Sequence, residues 1–168
     1  IGYRLVGSEM CIRDSRGYGK STGIKDTRMD RDLEAAIAYM RAKGAQQVVL
    51  IGASMGGTAV IELASESQVQ GVAALSPPAE FGRINALTAV ESMVIPLLLI
   101  VSENDYQYYS DARKIESAAA ATQFLVVEGQ QHGTNMIAEH RNEIFANLLA
   151  FLDRWTDDRL LTTVQTES

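Results

Sequence analysis

Three residues of this chain could together turn a hydroxyl group into a nucleophile: Ser54, Asp105 and His132. A serine hydroxyl is a weak nucleophile unless a base accepts its proton, and histidine is well suited to that role near neutral pH. A carboxylate behind the histidine fixes its tautomer and stabilises its protonated form. Such a relay requires a fold that brings together three residues from distant parts of the chain.

The serine lies in a pattern that is typical of a nucleophile turn. Residues 48–51 form a short apolar run rich in β-branched residues, and GASMG at 52–56 fits G-x-S-x-G. The run predicts a fully buried parallel strand, and residues 58–64 predict a helix. A sharp strand-to-helix turn holds a serine in a strained backbone conformation, with its hydroxyl standing clear of the sheet.

The glycines around the serine suggest how closely this turn packs. We expect a side chain at Gly52 or Gly56 to collide with the neighbouring strand or helix, and Gly57 to leave room for close helix packing. The predicted helix would point its free N–H groups at the site. The backbone N–H of Met55 is the one placed to donate to an oxyanion.

The candidate base and acid follow from position. The chain has two histidines; His140 lies in a polar helical stretch typical of solvated surface, whereas His132 follows a predicted strand and precedes a glycine. Asp105 comes directly after the most apolar predicted strand. Glu103 is the alternative acid, because strand ends are uncertain by a few residues, and Glu128 is the less favoured loop carboxylate. The sequence therefore favours His132 as base and Asp105 as acid.

Short apolar runs alternate with amphipathic stretches along the chain. This alternation predicts an α/β fold with a mostly parallel sheet, helices on both faces, and ligands at the carboxyl ends of the strands. Residues 79–93 predict either a small lid or an ordinary connecting helix, and the sequence leaves both open. The predicted strands are 48–51, 71–75, 96–101 and 124–127; the predicted helices run from 26 or 27 to 43, from 58 to 64, from 110 or 111 to 121, and from about 142 to 155.

Composition limits the function further. The chain has 168 residues, which suggests one domain at 1–155 followed by a polar tail at 156–168. A net charge of −6 without basic clusters argues against nucleic acid as a partner. No apolar run reaches membrane-spanning length. The lone cysteine excludes an internal disulfide and fits a reducing, cytoplasmic compartment, and no ligand cluster suggests a metal or another cofactor.

The beginning of the chain is atypical. The run VGSEMCIRDS at 6–15 interrupts the apolar pattern expected of a strand and resembles translated sequencing-adapter DNA, so we interpret it as non-native. RGYGKS follows at 16–21 and predicts a loop at a strand end. A phosphate-binding loop is a poor interpretation of it, because G-x-x-x-x-G-K-[ST] needs a wider glycine spacing.

Four stretches together resemble serine hydrolases of the α/β-hydrolase superfamily, among the small esterase-like or dienelactone-hydrolase-like members. They are RGYGKS at 16–21, GASMGG at 52–57, the Asp105 loop and the His132-Gly133 turn. The resemblance spans residues 16–155. It is carried by the order serine, aspartate, histidine, which is the order of that superfamily.

The resemblance implies a role for each site residue. Ser54 would be the nucleophile, Asp105 the acid and His132 the base, with the N–H of Met55 as one oxyanion donor, while Arg16 has no catalytic role. A small-molecule acyl substrate, a carboxylic ester, would be cleaved through an acyl-enzyme as in carboxylesterases. The alternatives are a non-catalytic binding protein on the same fold, or a transferase or cofactor-free haloperoxidase that shares the triad.

The chain also departs from the family pattern. The second oxyanion donor of such enzymes comes from a loop upstream of the Arg16 region, and this sequence begins after it. We therefore expect a partial α/β-hydrolase fold whose N-terminal strands are missing, and an inactive fragment is a further alternative. Loss of one oxyanion donor typically costs about 100- to 1,000-fold in turnover.

Overall fold

The computed structural model describes residues 4–5, 8–9, 14, 16–23 and 29–156. Strands and helices alternate over most of this length, as the sequence predicts. In chain order they are β1 (Arg4–Leu5), β2 (Ser8–Glu9), α1 (Met29–Ala42), β3 (Val49–Ala53), α2 (Met55–Glu66), β4 (Gly71–Leu75), β5 (Glu80–Phe81), β6 (Ile84–Asn85), α3 (Ala86–Ser92), β7 (Leu97–Ser102), α4 (Tyr106–Ala118), β8 (Thr122–Val127), a 3-10 turn (Gly133–Asn135) and α5 (Met136–Thr156).

The main sheet has four strands in the order β3-β4-β7-β8, and every neighbouring pair is parallel. The register aligns the strand ends: Ala53 lies opposite Leu75, and Ser102 lies opposite Val127. The carboxyl ends of all four strands therefore meet at one edge of the sheet. This is the edge at which ligands bind in open parallel sheets.

Helices cover both faces of the sheet, which confirms the predicted fold class. On one face the strands pack against α2 and α3, with Ile115 of α4 in the same core. On the other face α5 covers the centre of the sheet, and its Phe151 is fully buried. The two sets of inward-facing strand residues alternate, as a pleated strand requires: Leu50, Val72, Ala74, Leu97 and Leu99 face α2, and Ala73, Leu75, Leu98, Ile100 and Val127 face α5.

The prediction that β3 is fully buried is wrong. In the described part of the chain β3 pairs only with β4, so one of its edges is unpaired. Ile51 is 45% exposed, whereas its neighbour Leu50, which faces α2, is 8% exposed. A continuous apolar run therefore indicates a strand but does not tell a central strand from an edge strand.

Three helices begin earlier than predicted, and the first of them, α2, begins at Met55 rather than at residue 58. α4 begins at Tyr106 rather than at Ser110 or Asp111. Ser and Asp are good residues to start a helix, but Asp111 is 9% exposed inside α4, where its carboxylate accepts from the N–H of Ala79. α5 begins at Met136 instead of near 142, and non-helical angles at His140 interrupt it.

The segment 79–93 folds as a small hairpin, β5 with β6, followed by α3. Ala86, Ala89, Val90 and Met93 lie in the same buried cluster as the apolar side of α2. Of the two alternatives left open by the sequence, this packing favours the ordinary connecting helix. Met93 is 3% exposed and so belongs to the core.

Some predictions fall on residues outside the described ranges. These are the start of the first helix at 26–28, the tail from 157 onward, and most of the segment 6–15, of which only 8–9 and 14 are described. The described part of that first helix, α1, carries Asp30 and Asp32 in its first turn. None of the helices in the described ranges is both long and apolar enough to span a bilayer.

Candidate active site

Ser54 occupies the turn between β3 and α2, with φ 51° and ψ −128°. A non-glycine residue with positive φ is strained, and such strain is concentrated at functional sites. The turn is held by main-chain bonds, because the N–H of Ser54 donates to the carbonyl of Leu75 at 2.8 Å and its own carbonyl accepts from Gly57 at 2.8 Å. The backbone thus fixes the serine at the carboxyl end of the sheet.

The three glycines of the turn differ in how much space surrounds them. A Cβ at Gly52 would lie 2.2 Å from the carbonyl oxygen of Gly56, so no side chain fits there. A Cβ at Gly57 would lie 3.1 Å from Pro77, which agrees with the predicted close packing. The expectation for Gly56 is wrong, because a Cβ there meets no atom within 4 Å. Gly56 lies in the first turn of α2 and faces open space.

His132 lies between the other two candidate residues. Its Nε2 is 2.8 Å from Oγ of Ser54, and its Nδ1 is 2.8 Å from Oδ2 of Asp105. The side chain of His132 is 32% exposed and that of Asp105 is 11% exposed. The imidazole can therefore be reached from solvent, whereas the carboxylate behind it is shielded, and shielding strengthens a charged hydrogen bond.

Asp105 is the residue immediately before α4, and its side chain does not cap the helix as an aspartate at that position usually does. An aspartate there normally accepts from an N–H group of the first helical turn, which stabilises a helix by about 1 kcal/mol. Asp105 makes no such bond with its side chain, although its backbone carbonyl accepts from Tyr109 at 2.8 Å. Its carboxylate is bonded to His132 instead, so this residue gives up a local contact for a distant one.

The alternative acids do not reach the histidine in this arrangement. Glu103 is exposed and accepts from the side chain of Asn104 at 3.0 Å. Glu128 is also exposed. His140 is partly buried rather than fully solvated as predicted, and it lies at the irregular point of α5. Of the candidate residues, the structure brings together Ser54, His132 and Asp105.

The loop of His132 is tied to two strand ends by serine side chains that the sequence reasoning missed. The hydroxyl of Ser102 donates to the carbonyl of Gln131 at 2.7 Å. The N–H of Gly133 donates to Oγ of Ser76 at 3.1 Å. Ser76 and Ser102 are both 0% exposed. In the sequence, Ser76 and Ser102 stand out only because they lie at the carboxyl ends of apolar strands. The three candidate site residues share that position.

Two aromatic side chains border the site. The ring of Tyr108 lies 4.0 Å, centroid to centroid, from the imidazole of His132, and the two planes are tilted by 43°. The hydroxyl of Tyr18 lies 3.9 Å from the sulfur of Met55. The loop at 16–21 therefore touches the residue after the serine, while Arg16 itself binds Asp32 of α1 through its guanidinium.

Met55 is the first residue of α2, so its N–H has no acceptor inside the helix. That group, with the positive end of the helix dipole, lies beside the serine, and its role as an oxyanion donor stays a prediction. Among the residues described, no group of three or more His, Cys, Asp or Glu side chains is arranged to hold a metal ion.

The chain belongs to a known family of folds. A family model described as the alpha/beta hydrolase fold matches residues 7–114, and this establishes the membership. No curated protein matches the sequence. The fold is therefore that of an α/β hydrolase, as the motifs at 16–21 and 52–57 indicate.

Solved structures are similar to this chain at low sequence identity. A lipase-esterase related protein from Clostridium acetobutylicum has a TM-score of 0.71 at 14% identity, covering 82% of this chain and 81% of its own. An alpha-beta serine hydrolase homologue from Coxiella burnetii has 0.69 at 21%, covering 80% and 66%. A monoacylglycerol lipase from Paleococcus ferrophilus has 0.68 at 16%, covering 83% and 80%. At these identities the likeness concerns the fold.

Proposed function

We propose that this chain carries the catalytic machinery of a serine hydrolase that cleaves carboxylic esters. The observation that carries the proposal is the position of His132, with one ring nitrogen 2.8 Å from the Ser54 hydroxyl and the other 2.8 Å from the Asp105 carboxylate. Both contacts have the length of good hydrogen bonds, and each connects the groups that general-base activation of a serine needs.

The steps follow from the roles of these groups. The Nε2 atom of His132 accepts the proton of the Ser54 hydroxyl while Oγ attacks the ester carbonyl carbon. Asp105 stabilises the imidazolium that forms. The N–H of Met55 donates to the carbonyl oxygen as it becomes an oxyanion. Collapse of the intermediate expels the alcohol, which takes the proton from His132, and water then releases the acid from Ser54 by the same sequence.

The esterase and lipase names among the similar structures support an ester as the substrate class, and they do not identify the acyl group. Access to the site is consistent with a small molecule, because the imidazole is 32% exposed and Gly56 faces open space. A non-catalytic protein on this fold has no need of the strained serine or of the uncapped Asp105, and this makes binding alone the weaker candidate.

The test is hydrolysis of p-nitrophenyl acetate together with labelling by a fluorophosphonate, which reacts with activated serines. We expect Ser54→Ala to abolish labelling, and Ser54→Ala and His132→Ala each to lower kcat by roughly four to six orders of magnitude. His140→Ala and Ser117→Ala are matched controls, because the chain has two histidines and Ser117 bonds within α4. If Ser54→Ala labels and hydrolyses as the wild type does, the proposal is wrong.

A further inference from the structure

We propose that Ser76 and Ser102 are positioning residues that hold the loop of His132 from both sides, and that turnover depends on both hydroxyls. The inference rests on the proposed function, in which His132 is the base. It assigns a role to two buried side chains that take no part in the chemical steps.

The two hydroxyls bind the peptide groups on either side of His132. The hydroxyl of Ser102, at the end of β7, donates to the carbonyl of Gln131 at 2.7 Å. Oγ of Ser76, just after β4, accepts from the N–H of Gly133 at 3.1 Å. The loop is thus anchored to two adjacent strands of the sheet, immediately before and immediately after the histidine.

The backbone of Ser76 is held in a conformation that a serine disfavours, and its hydroxyl meets Gly133 from there. Ser76 has φ 45°, a left-handed conformation that a serine rarely adopts. Its N–H donates to the carbonyl of Ile100 at 2.8 Å, and that contact fixes the backbone where the side chain points to Gly133. Strain that the surroundings enforce is characteristic of functional sites.

Accurate placement of the loop matters because the imidazole must satisfy two bonds at once, one to Ser54 and one to Asp105. Gly133 borders the serine turn, since a Cβ on it would lie in ordinary contact, 3.9 Å from Cβ of Ser54. A displacement of about 1 Å in a reacting group can cost on the order of 100-fold in rate. Neither serine touches the reacting atoms, so their effect is exerted through His132.

The first experiment measures ester hydrolysis by the full chain. We expect Ser76→Ala and Ser102→Ala each to lower kcat by about 10- to 100-fold with KM little changed, because geometry is lost rather than substrate contact. Ser117→Ala is the matched control, since its hydroxyl donates to the carbonyl of Lys114 within α4. In a His132→Ala background the Ser76 and Ser102 changes should cost nothing further. A full additional loss in that background would overturn the proposal.

A second variant separates positioning from stability. Ser76→Gly removes the hydroxyl but also relieves the left-handed backbone strain. We expect its thermal midpoint to stay close to that of the wild type while kcat falls as in Ser76→Ala. Wild-type turnover by this folded variant would mean that the hydroxyl of Ser76 has no positioning role.

The third measurement does not require turnover. Because the chain has two histidines, ¹⁵N-histidine NMR can assign both, with His140 as the internal reference. We expect the Nδ1 proton of His132, bonded to Asp105, to broaden or exchange faster in the Ser76 and Ser102 variants. An unchanged signal overturns the positioning role. A wild-type chain that neither labels nor hydrolyses, yet shows this change, contradicts the proposed function instead.

Discussion

The turn that carries Ser54 and the loop that carries His132 meet in one hydrogen bond, but they are held in place differently. The serine turn is fixed by main-chain hydrogen bonds, within the turn and to Leu75 of the next strand, and by close packing between Gly52 and Gly56. The histidine loop is fixed by the side chains of Ser76 and Ser102, which lie 57 and 29 positions away from their partners in the chain. One half of the site is therefore held by main-chain bonds and steric packing, and the other half by the hydroxyls of two buried side chains.

This difference leads to different sensitivities to mutation. Where close packing holds a turn, one added carbon should destabilise the whole fold. Where hydrogen bonds hold a loop, removal of a hydroxyl should leave the fold intact and displace the imidazole of His132. The predictions below test whether the two halves of the site separate in this way.

The largest effect is expected from Gly52→Ala, compared with Gly56→Ala. The new Cβ at 52 would lie 2.2 Å from the Gly56 carbonyl oxygen, whereas at 56 it meets nothing within 4 Å. We expect the first change to lower the free energy of unfolding by more than about 3 kcal/mol. The second should leave it unchanged or raise it by up to about 1 kcal/mol, because alanine favours the helix. Urea unfolding measures both, and equal stabilities would contradict the steric account.

Features that depend on neighbouring residues in the chain could be predicted from the sequence. The sequence predicts Ser54 as the nucleophile because G-x-S-x-G, the apolar run before it and the helix after it all lie within a few positions. The sequence predicts Asp105 and His132 from their places after strands, because parallel strands must end at one edge of a sheet. The type of each strand and helix follows from the spacing of apolar residues, which is also a pattern of neighbouring positions.

What the sequence could not provide depends on contacts between distant residues. Ser76 and Ser102 look like ordinary residues at the ends of strands, and nothing local shows that their hydroxyls point at the His132 loop. The predicted start of α4 at Ser110 or Asp111 is wrong because Asp111 resembles a helix cap, but its carboxylate binds the N–H of Ala79. The exposure of Ile51 depends on what pairs with β3, which no local pattern reports.

An intermediate effect is expected from Gly133→Ala, which changes the histidine loop without removing a hydrogen bond. Gly133 has φ 58°, but a Cβ there lies 3.6 Å from the nearest atom, which is ordinary contact. The cost to stability should be about 1–2 kcal/mol from backbone strain alone. Gly44→Ala is the matched control, because Gly44 has φ 96° and open space around it, far from the site along the chain.

Both glycine variants should lose stability in thermal unfolding, whereas kcat should fall only for Gly133→Ala. An equal fall in kcat for Gly44→Ala would show that activity follows global stability. In that case the histidine loop would have no special sensitivity, and the contrast between the two halves of the site would fail.

The smallest effect is expected at Tyr108, whose ring covers one side of the imidazole at 4.0 Å. In the proposed mechanism His132 becomes a cationic imidazolium, and an aromatic face favours that cation by about 0.5–1 kcal/mol at a site open to solvent. Tyr108→Leu should therefore lower kcat/KM for p-nitrophenyl acetate by about two- to five-fold, while Tyr108→Phe, which keeps the ring, should match the wild type. Tyr106→Leu is the control in the same turn of α4, because Tyr106 is 79% exposed. If Tyr108→Phe is as slow as Tyr108→Leu, the hydroxyl of Tyr108 matters rather than its ring, and the histidine loop depends on one more polar contact.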